Sequence, residues 1–199
     1  METLYANLIP GIWIAWCVYW YIAARDAKAS ARIESPLSRA AHIVPLGVAA
    51  WLIGARTLPG GFLCTTIFPR SEALYFAGVG ILASGLAFSI SARRWLGRNW
   101  SGVVTVKQDH ELIRGGPYRY VRHPIYTGIL AGFVGSALAR DEWRGVLSIA
   151  IAYLALWRKL RLEERWMIEQ FGDAYRRFRE EVPALIPNPF RPRRNGSPP

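Results

Sequence analysis

Cysteine, histidine and acidic residues are scarce in this 199-residue chain. It has two cysteines, three histidines and 14 aspartates and glutamates, against 25 lysines and arginines. Two cysteines without metal-ligand spacing argue against a disulfide framework and against a structural zinc site, so we expect no metal. Alternating strand and helix patterns are also missing, which excludes a Rossmann-type cofactor domain.

Apolar residues are abundant instead. They make up 52% of the chain, and the mean hydropathy of +0.12 lies above that of a usual soluble domain. The net charge of +11 could indicate a nucleic-acid binder. The basic residues, however, flank long apolar blocks and do not form one face or arm, so we expect an integral membrane protein and no nucleic-acid partner.

Five apolar blocks are separated by short arginine-rich stretches. The first is long enough to cross the hydrocarbon core without a charge, and we interpret it as an uncleaved span. The last two are short for full spans and are expected to form a tilted or partly inserted hairpin. The blocks run from about Leu4 to Ala24, Ala40 to Leu58, Ala73 to Ala92, Ile125 to Ala139 and Trp143 to Trp157.

The basic residues also predict an orientation. Lysines and arginines number four in 25–39, two in 56–72, seven in 93–122, two in 140–144 and ten from 158 onward. This alternation of rich and poor segments fits five crossings under the positive-inside rule. It places the N-terminus outside the membrane and the C-terminus in the cytoplasm.

The predicted fold is therefore all-α, with about five transmembrane helices. We divide it into a three-helix part at 1–92, a core with the hairpin at 93–182 and a Pro-rich, disordered tail at 183–199. The core ends in a cytoplasmic amphipathic helix, with a break at Gly172. Its apolar positions recur at helical spacing: Phe171, Tyr175, Phe178 and Val182.

The segment 115–126 contains most of the candidate ligand-binding side chains. It reads Gly-Gly-Pro-Tyr-Arg-Tyr-Val-Arg-His-Pro-Ile-Tyr. Proline holds His123 extended and starts the fourth block as a helix, whose free backbone N–H groups attract anions. With Tyr118, Tyr126 and the nearby arginines, this predicts a pocket at the membrane surface for a ligand with an acidic group and an aromatic ring. The alternative is that the segment only starts a membrane helix among lipid headgroups.

Three further features, each taken alone, can be explained without a bound ligand. Glu163 and Glu164 could meet a ligand, although this stretch on its own favours pairing of Glu163 with Lys159 one turn earlier. His110 by itself predicts no more than a solvent-facing loop histidine. Gly78 and Gly80 form a Gly-x-Gly pair inside a span, which favours helix packing over nucleotide binding.

Taken together, these motifs resemble the isoprenylcysteine carboxyl methyltransferase family, whose wider group includes membrane phospholipid methyltransferases. The resemblance covers roughly 99–187. It rests on Gly116-Pro117-Tyr118, on Arg122-His123-Pro124-Ile125-Tyr126, on Glu163-Glu164 and on Phe171-Gly172-Asp173-Ala174-Tyr175. It implies a membrane methyltransferase that uses S-adenosylmethionine without a Rossmann fold.

The resemblance also implies a cytoplasmic cofactor site. Its residues, matched by position, are His110, Glu111, Leu112, Ile113, Tyr118, His123, Pro124, Ile125, Tyr126 and Glu163. Lys159 stands where the family has a substrate-binding arginine, with Arg158 beside it, so these two are the expected substrate contacts. Lysine lacks the planar fork of arginine, and the family's longer glutamate run is reduced here to two residues.

Three functions follow as hypotheses. The first is O-methylation of a carboxylate on an isoprenylcysteine-like or other hydrophobic, lipid-linked acceptor. The second keeps S-adenosylmethionine but uses an amine lipid or a small hydrophobic amine, which must lose a proton. The third is a non-enzymatic, lipid-binding membrane scaffold.

Overall fold

Helices dominate the architecture of the chain. The computed structural model describes residues 2–26, 30–55, 58, 61–69, 71–97, 100, 105–107 and 112–187. Its helices are α1 (Glu2–Ala23), α2 (Pro36–Gly54), α3 (Glu72–Leu96), α4 (Pro124–Arg140), α5 (Trp143–Phe171) and α6 (Asp173–Glu181). Short 3-10 turns cover Ala24–Asp26, Phe62–Cys64 and Gly116–Arg119. Each predicted apolar block thus lies mainly in a helix, although α2 ends at Gly54, before the predicted end of the second block at Leu58. This confirms the helical fold.

Among the residues that the structure describes, two helices are long and apolar enough to cross a membrane. These are α2 and α3, while α1 contributes a shorter apolar stretch at Asn7–Ala23. The α4–α5 hairpin forms as predicted, and α5 continues well beyond the apolar block that ends at Trp157. The number of five crossings, the orientation and the three-part division of the chain stay predictions.

A small sheet is the feature that the all-α prediction lacked. Strand β1 (Ser30–Ile33) pairs antiparallel with β2 (Thr105–Lys107). Both strands are short and lie between helices, where hydrophobic periodicity gives little signal. The sheet found in the described residues is this antiparallel pair, whereas a Rossmann domain is built from parallel strands.

Close backbone contact joins α3 to α4. A Cβ added to Gly128 would lie 2.4 Å from the Gly85 carbonyl oxygen, and one added to Gly78 would lie 2.5 Å from that of Gly135. Only glycine fits such an approach, as in other tightly packed membrane helices. The packing role predicted for Gly78 is confirmed. Gly80 was wrongly included, because a Cβ there would meet nothing within 4 Å.

The C-terminal part of the core bends at Gly172, as the sequence predicts. Gly172 has φ +53°, ends α5 and starts α6. Beyond α6 the chain runs back along the start of α4. Leu185 at its end is buried against Tyr126, Leu156 and Leu160. The predicted disordered tail at 183–199 is therefore wrong for 183–185, which bond to the start of α4. Ile186 is exposed, and 188–199 lie outside the described residues.

Candidate functional site

The start of α4 lies against the returning C-terminal segment. Pro124 is the first helical residue, as predicted, but His123 is not extended, because its φ of −123° and ψ of 62° lie outside the extended region. The backbone N–H of Arg122 donates to the Pro183 carbonyl at 2.9 Å, and that of His123 donates to the Ala184 carbonyl at 3.0 Å. These two N–H groups are engaged by the chain itself, so they do not serve an anionic ligand.

Glu164 is the buried carboxylate at this junction. Arg122 donates to its Oε1 at 2.8 Å, and Arg179 of α6 lies 3.1 Å from its Oε2. The His123 Nε2 is 3.3 Å from Oε1. Burial alone would raise the pKa of Glu164, but the hydrogen bonds and charges of His123 and Arg122 outweigh it and lower the pKa to about 2. Glu164 therefore joins α4, α5 and α6 as a structural ion cluster.

Glu163, the neighbouring acid, has a different environment. It accepts a hydrogen bond of 2.5 Å from the Tyr126 hydroxyl, and its Oε2 lies 3.6 Å from His123 Nδ1. Its side chain is 23% exposed, compared with 5% for Glu164. Of the two carboxylates, Glu163 is thus the one that a ligand can reach.

Aromatic rings and a lysine surround Glu163. The rings of His123 and Tyr126 lie parallel, with centroids 5.5 Å apart. Lys159 Nζ lies 5.4 Å from the centroid of the Tyr126 ring and 4.0 Å from Glu163 Oε1. The helical pairing of Lys159 with Glu163, which the sequence offered as the alternative to a ligand contact, is therefore present in the folded chain.

Arg158 and Lys159 face different neighbours. Arg158 donates to the Ser38 carbonyl at 3.0 Å and to the Ser38 hydroxyl at 3.3 Å, and its Nη1 lies 3.4 Å from His42 Nδ1. These contacts hold α5 to α2. Of the two predicted substrate contacts, Lys159 is the one that lies beside Tyr126 and Glu163.

The remaining predicted cofactor residues have different surroundings. Tyr118 is buried next to the same region, and burial and the charge of Glu163 raise the pKa of its hydroxyl. Pro124 is buried, and Ile125 packs on the cluster that contains Leu156. Leu112 packs against the apolar face of α6, and Ile113 is half-buried. The residues His110 and Glu111 lie outside the described part of the chain.

Sequence reasoning missed several residues that organise this region. Arg122 was expected to add positive charge for a ligand, but it is bound to Glu164 and to the carbonyls of Arg179 and Val182. The place of Arg179 on the polar face of α6 could have suggested an ion pair, but not with which acid. Nothing in the sequence pointed to Glu34 or His42, which are buried near Arg158.

The comparison with known families agrees with this geometry. Residues 73–174, just over half of the chain, match the model of the phospholipid methyltransferase family, and the chain belongs to that family. The matched segment includes α4 and nearly all of α5, and with them His123, Tyr126, Lys159 and Glu163.

Individual relatives are named as methyltransferases. The chain is 32% identical over 132 residues to a protein-S-isoprenylcysteine O-methyltransferase of Schizosaccharomyces pombe, covering 63% of this chain and 53% of the relative. It is 36% identical over 70 residues to methanethiol S-methyltransferase 1 of Bradyrhizobium diazoefficiens, covering 35% and 24%. The chain spans about half the length of the first of these relatives and about a quarter of the second.

A solved structure shares the fold. The eukaryotic intramembrane Ras methyltransferase, isoprenylcysteine carboxyl methyltransferase, aligns with a TM-score of 0.55 at 18% identity. The alignment covers 81% of this chain and 55% of that one. This likeness establishes a common membrane fold, which the predicted resemblance implied.

Proposed function

We propose that the chain is an S-adenosylmethionine-dependent membrane methyltransferase that methylates the carboxylate of an isoprenylcysteine-like or other hydrophobic acceptor. The observation that carries the proposal is the position of Glu163, held by Tyr126 and His123 with Lys159 beside it, inside the segment that matches the family. The isoprenylcysteine O-methyltransferase among the relatives supports this acceptor class.

The residues at the site suit the proposed cofactor. S-adenosylmethionine carries a sulfonium and an ammonium, and it would supply a methyl group that an acceptor oxygen takes as the sulfonium becomes a neutral thioether. A partly exposed carboxylate is the group that such positive charges prefer, and Glu163 provides one. Glu164 is already neutralised by Arg122 and Arg179, so it would not take this role.

The acceptor needs alignment more than activation. A carboxylate is ionised at neutral pH and is already a nucleophile. Lys159 would hold its negative charge close to Glu163, and the stacked rings of His123 and Tyr126 would keep that region rigid. Burial of these groups between helices would exclude water, which strengthens each charge contact.

The site would lie on the cytoplasmic side of the membrane, where a lipid-linked acceptor can reach it. Charge alternation along the chain supports a cytoplasmic site, with the N-terminus outside. The apolar part of the acceptor would enter sideways from the bilayer, since α2 and α3 present exposed apolar residues to their surroundings.

Methyl transfer by the purified full chain in lipid nanodiscs tests the proposal. With methyl-labelled S-adenosylmethionine and N-acetyl-S-farnesylcysteine, we expect labelled ester that releases methanol in base. Base-stable product on an amine lipid would favour the N-methylation alternative. Absence of cofactor binding by calorimetry would favour the lipid-binding scaffold, and cofactor binding without ester on any lipid acid would contradict carboxylate methylation.

A thiol acceptor is the second candidate. The methanethiol S-methyltransferase of Bradyrhizobium matches over 70 residues, which makes a small thiol a reasonable alternative. A thiol must lose its proton, so it needs a nearby base, and His123 would serve as this base. Methanethiol in the same assay would give dimethyl sulfide if this candidate is correct.

A further inference from the structure

One face of α5 is exposed and changes from apolar to basic along the helix. Its exposed positions recur every three or four residues, so they lie on the same side of the helix. We call them the α5 strip, which consists of Ala150, Leu154, Trp157, Arg161 and Arg165. Leu154 is 64% exposed and Trp157 is 36% exposed. The strip thus presents an apolar half and a cationic half to the surroundings of the chain.

Aromatic rings on this face indicate the level of the lipid headgroups. Trp157 stacks on the exposed ring of Tyr153, with centroids 5.9 Å apart and planes at 20°. Tryptophan and tyrosine are enriched at the interface between a membrane and water. Leu154 then lies on the hydrocarbon side of Trp157. Arg161 and Arg165 follow on the water side, in the headgroup layer.

The two arginines are placed to share one phosphate. Arg161 and Arg165 are one helical turn apart on the same face, where Cβ atoms lie about 5–6 Å from each other. The Arg161 guanidinium carbon lies 6.0 Å from the centroid of the Trp157 ring, so this side chain runs back toward the apolar half of the strip. Guanidinium groups bind phosphate through two N–H donors at once. A phosphate at this level would neutralise both cations where the apolar surface begins.

Charge favours a lipid over a second copy of the chain as the occupant of the strip. Two copies in one membrane share an orientation, and a two-fold axis along the membrane normal would bring the arginines of both strips together. Like charges repel, so the basic ends would destabilise such a pair. An anionic lipid instead complements both halves of the strip. Leu154 lies about 10 Å from Arg161 along the helix axis, within the roughly 15 Å hydrocarbon depth of one leaflet.

We propose that the α5 strip binds an anionic phospholipid, with its phosphate between Arg161 and Arg165 and an acyl chain along Trp157 and Leu154. A zwitterionic lipid is the poorer ligand, because its own ammonium group already compensates the phosphate. The inference does not depend on the proposed methyltransferase function. Lys159 projects about 160° away from Arg161 around the helix, so a lipid on the strip does not compete with the acceptor.

Thermal unfolding of the purified full chain in dodecyl maltoside tests the inference. Dioleoylphosphatidylglycerol at about ten times its Kd should raise Tm by roughly 3–6 °C. Dioleoylphosphatidylcholine should raise it clearly less. The double variant Arg161→Gln/Arg165→Gln should abolish the difference between the two lipids. The control is Arg176→Gln/Arg177→Gln, which removes the same charge from exposed positions of α6 and should retain the difference.

Direct lipid binding provides a second measurement that does not need the double variant. In native mass spectrometry, either single change, Arg161→Gln or Arg165→Gln, should weaken phosphatidylglycerol binding about fivefold, the contribution of one basic residue near an anionic surface. Unaltered binding in both single variants would remove the arginines from the lipid site.

Three further outcomes would overturn the inference. One is an equal shift of Tm with both lipids, or a phosphatidylglycerol shift that survives in Arg161→Gln/Arg165→Gln. Another is an equal shift with inorganic phosphate, which would assign the arginines to a free anion. The third is a dimer in detergent that Leu154→Asn dissociates, which would assign the strip to a second copy of the chain.

Discussion

The Tyr126 hydroxyl donates to Glu163 across 2.5 Å and joins the start of α4 to the polar end of α5. The two residues are 37 positions apart in the sequence. The α4–α5 hairpin brings them together because its second helix runs back along the first and continues past the apolar block. A carboxylate that is partly exposed and fixed in this way is the centre of the proposed cofactor site.

Glu163→Gln should weaken S-adenosylmethionine binding about tenfold or more, because the neutral amide no longer attracts the cofactor's positive charges. Isothermal titration of the purified chain in detergent measures this. Glu180→Gln, an exposed change on α6, is the control and should leave the Kd unaltered. An unchanged Kd in Glu163→Gln would remove Glu163 from the cofactor site.

The two neighbouring cations should respond differently to removal. Lys159→Gln should raise the acceptor KM about tenfold, since it deletes the charge that faces Tyr126 and Glu163. Arg158→Gln should instead lower the thermal stability, because Arg158 holds Ser38 of α2. Steady-state kinetics and thermal unfolding of both variants check this. The reverse pattern would assign the acceptor carboxylate to Arg158.

Glu164→Gln should destabilise the fold by about 3 kcal/mol, because it leaves the buried Arg122 guanidinium without its counter-charge. Chemical unfolding in detergent measures the change. The matched control is Glu169→Gln, an exposed position of the same helix. If the two variants are equally stable, the ion cluster around Glu164 does not contribute to stability.

The stability should also depend on pH through Glu164. Its pKa is about 2 in the folded chain, against an ordinary value of 4.5. A lowered folded-state pKa adds stability that is complete above about pH 4.5 and is lost as the pH falls toward 2. Thermal unfolding between pH 5 and pH 2.5 should show a steeper loss for wild type than for Glu164→Gln. Parallel profiles would contradict the lowered pKa.

Alanine substitutions of Gly128 and Gly80 should have different effects on the free energy of unfolding. Gly128→Ala places a Cβ 2.4 Å from the Gly85 carbonyl oxygen, so we expect a loss of about 1–3 kcal/mol from forced separation of α3 and α4. Gly80→Ala meets open space and should be neutral or stabilise by up to about 1 kcal/mol, from helix propensity alone. Unfolding of the two variants in the same detergent measures this difference, and equal effects would contradict the close packing at Gly128.

The elements of the fold followed from the sequence wherever the signal was local. Apolar length predicted five helices, and Gly172 predicted the bend before α6. The β1–β2 pair was missed because its strands are three and four residues long and pair across about 70 positions. The return of 183–185 was missed because a Pro-rich stretch has no periodicity, although its carbonyls accept from Arg122 and His123.

The residue types along the chain already specify which chemical groups are present: the basic His123–Pro124 helix start, the glutamate pair and the cation pair on α5. The different roles of the two members of each pair follow from the packing of the helices. Consecutive residues project about 100° apart around a helix, so neighbours such as Glu163 and Glu164 meet different sets of partners. In the folded chain Glu164 contacts Arg122 and Arg179, whereas Glu163 contacts Tyr126. The partners of each side chain depend on where α2, α4 and α6 lie, and the sequence pattern of α5 alone does not predict those positions.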